Sequence, residues 1–187
     1  IAEDQIVIFT GGKLEPWKKT ELLIDAIKRL SHLPLTLIVV GDADPRFAQY
    51  KERLFEASRG CANIHFVGWL AAPDIYRHLS MAQMAVFPAS QSILWQQAIA
   101  MGLPLIVGNV GNQDMSYLNL YDNIVILEHD DIGRDRLAEE IAAIVSNPER
   151  MRSMSRGAND VAIEHLNWDK LIQRTLSVHP QFKFEEL

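Results

Sequence analysis

The 187-residue chain has one cysteine, Cys61, so neither an internal disulfide nor a cysteine-rich metal cluster is open to it. A lone cysteine is compatible with a reducing compartment, and a cytoplasmic location is expected. Positive charge is also short, with 18 Lys and Arg against 24 Asp and Glu, a net charge of −6. Nucleic-acid-binding faces need a basic stripe to displace counterions, so no nucleic-acid partner is expected. No apolar run approaches the about 18 residues that span a bilayer, and no signal-like segment opens the chain. The six histidines include no His-x-x-x-His pair, and there is no Gly-x-Ser-x-Gly elbow. Gly-x-Gly-x-x-Gly and Gly-x-x-x-x-Gly-Lys-Ser/Thr are missing too, so zinc, serine-hydrolase, dinucleotide and P-loop readings all lack support. An initiating Met is absent. Ile1 opens the chain and Ile6-Val-Ile-Phe9 enters a core strand almost at once, so a fragment of a larger protein is expected.

What is present is the composition of a soluble globular protein, 48% hydrophobic and 22% charged, long enough for one well-buried domain over residues 1–187. Apolar runs at Gln5–Thr10, Leu35–Val40, Asn63–Val67, Gln83–Phe87, Leu105–Val107 and Asn123–Leu127 predict six strands. Helical spacing fills the gaps. Leu22, Leu23, Ala26, Ile27 and Leu30 form one apolar stripe after Thr20, and Phe47, Tyr50, Leu54 and Phe55 form another. A short helix is expected from Asp74 to Met81, and one before Gly102 and Pro104, with Trp95 and Met101 in the core. From about residue 134 the pattern is helical only, with a helix around Leu137 to Val145, one from about Pro148 to His165, and one near Trp168. Strands alternating with helices predict an α/β fold, a doubly wound six-stranded parallel sheet. Its ligand crevice lies at the carboxyl ends of the strands where the winding reverses, between strands one and four in the common order. That arrangement brings Gly11 to Lys19 beside Pro88 to Pro104.

Both stretches have the residue types of a ligand site. Gly11 and Gly12 let the backbone approach a ligand closely. Lys18 and Lys19 stand at a helix start, where the macrodipole is already positive and lysine is locally unfavourable; a bound anion resolves that conflict. With Lys13 they suit a diphosphate, while the plainer alternative is a set of solvated lysines on a surface turn. Across the crevice, Ser90, Gln91 and Ser92 precede a helix and so present free backbone N–H groups. Asp42-Ala43-Asp44 has the form of an Asp-x-Asp metal clamp, but with Pro45 it reads better as a helix cap. His129-Asp130-Asp131 also reads as a solvated cap. Trp69 stands at the mouth of the crevice, as a nucleobase neighbour or a packed rim aromatic.

In series these residues resemble the C-terminal, donor-binding domain of retaining GT-B glycosyltransferases of the group 1, family 4 type. Gly12-Lys-Leu-Glu-Pro-Trp-Lys18 is similar to that family's Gly-Arg-Leu-x-x-x-Lys, and Leu37-Ile-Val-Val-Gly-Asp42 to its second-strand region. Asn63-Ile-His-Phe-Val-Gly68 matches the strand whose following loop borders the nucleobase. Ala98-Ile-Ala-Met-Gly-Leu-Pro104 is similar to Ala-Met-Ala-x-Gly-x-Pro, Val110-Gly111 to the Val-Gly-Gly that follows, and Trp168 to a late-helix tryptophan. The chain departs from the family where it normally has two glutamates. Gln97 takes the place of the second, and Ala89 the ungapped place of the first. Lys13 replaces an arginine, keeping the charge but losing a bidentate grip.

The resemblance implies a Rossmann-like domain forming one half of a GT-B architecture, with the N-terminal acceptor domain absent from this chain. It implies transfer of a sugar, with retention, from a UDP- or GDP-linked donor to a polysaccharide or lipid-linked acceptor. No metal or other cofactor is expected. Gly11, Gly12, Lys13 and Lys18 would bind the donor diphosphate. Ala89, Ser90, Gln91, Ser92, Ile93 and Gln97 would line the sugar and ribose pocket, and Gly68, Trp69 and Leu70 would border the nucleobase. The full-length protein would be an enzyme, with peripheral association at the inner face of the membrane, and the fragment alone inactive. Two alternatives remain open: a catalytically degenerate binding or partner module, or a nucleotide-sugar epimerase of the same fold.

Overall fold

The computed structural model describes residues 4–89, 91–111 and 114–178. Six strands, β1 (Ile6–Gly11), β2 (Leu35–Val40), β3 (Ile64–Gly68), β4 (Met84–Phe87), β5 (Leu105–Gly108) and β6 (Ile124–Leu127), form one parallel sheet in the order β3-β2-β1-β4-β5-β6. The helices are α1 (Thr20–Arg29), α2 (Ala48–Ala57), α3 (Ala72–Met81), α4 (Leu94–Ala100), α5 (Arg134–Val145), α6 (Pro148–His165) and α7 (Trp168–Ser177). The chain winds outward from β1 to β3, then crosses back to lay β4 on the other side of β1. The reversal therefore falls between β1 and β4, as expected.

The apolar runs are continuous because both faces of the sheet are buried, and alternate residues serve different cores. Ile8, Leu37, Val39, Val86 and Ile106 point to the face covered by α1, α2 and α5, against Leu23, Ile27, Leu54, Leu137 and Ile141. Val7, Phe9, Ile38, Phe87 and Val107 point to the other, against Leu79, Trp95, Ile99 and Val161 of α3, α4 and α6. Burying each such side chain is worth about 1.5–3 kcal/mol, so these two layers dominate stability.

Three local differences from the predicted elements have physical causes. α3 starts at Ala72 rather than Asp74, because Pro73 sits in the first turn, where its missing N–H costs nothing. β5 runs on to Gly108, where a Cβ would come within 1.8 Å of the Pro88 carbonyl oxygen, so a glycine lets the chain after β4 cross there. Met101 is 37% exposed rather than in the core, since it lies past the last turn of α4 that faces the sheet, whereas Trp95 is 1% exposed as expected. No described helix is long and apolar enough to cross a membrane.

Candidate functional site

At the carboxyl end of the sheet the loops after β1, β2 and β3 stack backbone on backbone. Gly12 N donates to Val40 O at 2.9 Å, Leu14 N to Asp42 O at 2.9 Å, and Gly41 N to Gly68 O at 2.7 Å. Such close crossing needs a residue without a side chain. Gly41 has φ +121°, and a Cβ there would lie 1.8 Å from the Gly12 carbonyl oxygen. The loop after β4 joins through a side chain: Lys18 Nζ donates to Gln91 O at 2.9 Å. The two stretches that the fold rules placed together do meet.

Between them lies a cleft of about 300 Å³. Gly12, Lys13 and Lys18 line one side, Ser92, Ile93 and Gln97 the other, and Trp69 and Leu70 the third. Gly11 and Ala89 line a smaller crevice beneath it, which also reaches Lys13, Lys18 and Ser92. Gln91 lies at the rim and contributes its carbonyl to Lys18. Gly68 lines neither cavity; its carbonyl holds Gly41 instead. Ser90 lies outside the described residues. Trp69 is 67% exposed, so the rim aromatic is not packed under its neighbours.

The electrostatics centre on Lys18, which ends a short 3-10 turn, Pro16–Lys18, ahead of α1. Burial pushes its ammonium below the ordinary lysine value; the charge of Glu15 opposes that shift and the charge of Lys13 adds to it. Lys19, next in the chain, is left-handed at φ 53° and carries no side-chain cap for α1. The first amide of α1, Thr20 N, is met instead by Tyr50 Oη at 3.1 Å. Ser92 Oγ accepts from Leu94 N at 3.3 Å, ordering the start of α4.

Gln97 projects from α4 into the cleft. Its Nε2 donates to Tyr76 Oη of α3 at 3.4 Å, and its Oε1 is shielded from water with no donor among the described residues. Two polar side chains at the site were not predicted. Glu15 is 9% exposed and lines the cleft, a buried carboxylate beside two lysines, and Tyr76 reaches across from α3. Glu15 could have been suspected as the acidic residue between Lys13 and Lys18, whereas nothing in the sequence marks Tyr76, whose partner comes from the tertiary fold.

The Asp-x-Asp pair is a cap and a tether. Asp44 accepts from Arg46 N at 3.0 Å, and Asp42 pairs with Lys51 Nζ at 2.6 Å. Among the described residues no three His, Cys, Asp or Glu side chains converge on a point where one ion could sit.

The sheet's switch point is lined by glycine backbone and two lysines, at the carboxyl edge where doubly wound folds hold their ligands. The chain belongs to the glycosyl transferases group 1 family, whose family model matches residues 4–147. It is 26% identical over 191 residues to the D-inositol 3-phosphate glycosyltransferase of Kribbella flavida, covering 96% of this chain and 44% of that protein. It is 25% identical over 175 residues to the enzyme of that name from Rhodococcus erythropolis, covering 88% of this chain and 39% of that one. The chain thus spans less than half the length of these relatives. In fold it is similar to Anabaena HepE, solved in complex with UDP and glucose, with a TM-score of 0.80 and 18% identity over 96% of this chain and 49% of that one. It is also similar to the solved C-terminal domain of the group 1 glycosyltransferase LpcC from Francisella tularensis, with a TM-score of 0.72 and 17% identity, covering 88% and 87% of the two chains. The six-stranded α/β sheet is therefore that of GT-B glycosyltransferase C-terminal domains.

Proposed function

We propose that this chain is the donor-binding half of a glycosyltransferase that takes a sugar from a UDP- or GDP-linked donor. The observation that carries the reading is the Lys18 contact to Gln91 O, which brings a half-buried ammonium and the loop after β4 together over the cleft. A diphosphate entering beside Lys13 and Lys18 supplies the negative charge that Glu15 alone does not balance. As the sugar–phosphate bond breaks, negative charge grows on the leaving diphosphate, and cations fixed there stabilise the transition state more than the ground state. Trp69 gives an exposed aromatic face for the base, and Gln97 an amide for the ribose hydroxyls. That HepE is solved with UDP and glucose on a similar fold supports the donor class.

The reading extends to retention, to a polysaccharide or lipid-linked acceptor, and to an acceptor domain N-terminal to this chain that brings the acceptor and any general base. It needs no metal. It places the whole protein in the cytoplasm, working at the inner face of the membrane. Calorimetric titration with UDP and GDP tests the site: one of them binds at millimolar concentration or better, and Lys18→Ala weakens it about tenfold or more, as loss of a charge-assisted hydrogen bond implies. No binding of either, or equal binding by the variant, removes the diphosphate site. Added chelator leaves the affinity unchanged.

One observation favours a second reading, a binding module without catalysis: position 89 is a buried alanine and position 97 an amide, so neither supplies a carboxylate. Sugar transfer by the full-length protein decides between the two.

A further inference from the structure

α3 and α4 stand on either side of the cleft, and among the described residues one side-chain hydrogen bond joins them. Tyr76 lies on the second turn of α3 and Gln97 on α4, with Gln97 Nε2 donating to Tyr76 Oη at 3.4 Å. Ile75, the neighbour of Tyr76, lines the same cleft as Gln97. The two ends of this amide are not alike: the nitrogen only donates and the oxygen only accepts. Here the nitrogen has its partner. The oxygen is shielded from water and receives no hydrogen bond from any described residue, a costly state for an amide in a folded protein.

A glutamate at position 97 would present an acceptor whichever way it turned. A glutamine has to be held the right way round. We propose that Tyr76 is the positioning residue that orients the Gln97 amide, so that its oxygen accepts from a ribose hydroxyl of the donor. This rests on the reading of the cleft as a nucleotide-sugar site. The terminal torsion of glutamine is soft, so a small turn about Cγ–Cδ brings Oε1 to a hydroxyl entering the cleft. Tyr76 Oη, able to donate and accept, keeps Nε2 engaged during that turn. Tyr76 is 41% exposed and has room to follow. Its hydroxyl thus converts an amide into a one-sided acceptor, and ribose recognition depends on a residue that does not itself touch the nucleotide.

The test compares UDP with 2′,3′-dideoxy-UDP by calorimetry on the whole chain and on three variants, Tyr76→Phe, Gln97→Met and the double variant. The wild type prefers UDP by about five- to tenfold, the worth of one or two net hydrogen bonds. Tyr76→Phe lowers that preference to about twofold while leaving the affinity for the dideoxy analogue, and the melting temperature, near the wild-type values. Gln97→Met abolishes the preference, and adding Tyr76→Phe to it changes nothing further, the non-additivity expected of two residues acting as one unit. Equal loss of affinity for both nucleotides in Tyr76→Phe, or an undiminished preference, overturns the positioning role while the nucleotide site stands. A lasting effect of Tyr76→Phe in the Gln97→Met background overturns it too. No UDP binding by the wild type removes the site and this inference together.

Discussion

Replacing Gly41 by alanine tests whether the cleft depends on backbone stacking. A Cβ at that position lies 1.8 Å from the Gly12 carbonyl oxygen and 2.8 Å from its carbon, and φ is +121°. Two costs add. Holding a non-glycine residue in that backbone region costs about 1–3 kcal/mol, and forcing two backbone segments apart by more than an ångström costs about as much again. For a domain of this size, about 1 kcal/mol moves the melting temperature by roughly 2–4 °C. Gly60 provides the control, since its φ is +80° and a Cβ there meets nothing within 4 Å. Gly60→Ala therefore carries left-handed backbone strain without a collision, about 1–2 kcal/mol. Scanning calorimetry should show Gly41→Ala melting at least about 4 °C below Gly60→Ala, the excess coming from the collision with Gly12 together with the less accessible φ at Gly41. Because Gly12 lines the cleft, UDP affinity should fall in Gly41→Ala and hold in Gly60→Ala. If the two variants melt within about 2 °C of each other and bind UDP alike, the stacked loops are not what shapes the site.

Lys18 gives a pH signature. Burial lowers its folded-state pKa, so the folded chain binds fewer protons than the unfolded one in the alkaline range below the ordinary lysine value of 10.5. The penalty of burying the charge is present below the folded pKa and is relieved as pH rises through that window. Melting scans should therefore show the wild type gaining stability relative to Lys18→Met as pH rises towards 10.5; a constant gap would refute the shift. Tyr50→Phe strips Thr20 N of its partner and Glu21 of a hydrogen bond, and leaving a buried amide unpaired costs about 1–3 kcal/mol by urea unfolding. Spectrophotometric titration should find Tyr50 ionising later than an ordinary tyrosine, because burial raises its pKa first and Glu21 raises it further. Trp95→Ala should lose about 3–5 kcal/mol in the same unfolding assay, since the indole is 1% exposed in the core beneath α4. A loss below about 1 kcal/mol would mean that the site collapses around the cavity.

The strands were legible because both faces of a parallel sheet are buried, so each reads as an uninterrupted apolar run of fitting length, and the observed bounds differ from the predicted ones by at most one residue. The last long helix was legible from end to end, with Asn147 accepting from Arg150 N ahead of Pro148 and a polar face running to His165. Less legible were features set by a neighbour in space. Gly108 belongs to β5 because the chain after β4 passes over it, and nothing within Leu105 to Val107 announces that crossing. Met101 is apolar and helical in spacing, yet the helix runs out one residue before it. Apolar periodicity records which side of an element is buried, but not where the layer above it ends.

The site divides along the same line. Lys18, Lys19 and the glycines could be chosen because they violate local preference: lysines at a helix start and paired glycines after a strand are poor choices unless something else requires them. Gln97 could be placed through resemblance, as an amide where the family has a carboxylate, but the sequence alone does not say that it stands beside a tyrosine hydroxyl. Tyr76 violates nothing. It is an exposed aromatic on an amphipathic helix, and only the approach of α3 to α4 gives it a partner. Glu15 is harder still, since a carboxylate beside the proposed phosphate site opposes the ligand's charge. Its effect on Lys18 supplies a reason. Burial favours the neutral amine and Glu15 favours the ammonium, so the buried carboxylate partly offsets the burial penalty on Lys18. A diphosphate would take over that task on entering, and the repulsion by Glu15 would then set how readily the product leaves. Glu15→Gln should therefore tighten UDP binding while lowering the Lys18 pKa further. Weaker binding in that variant would instead make Glu15 a structural anchor of the loop.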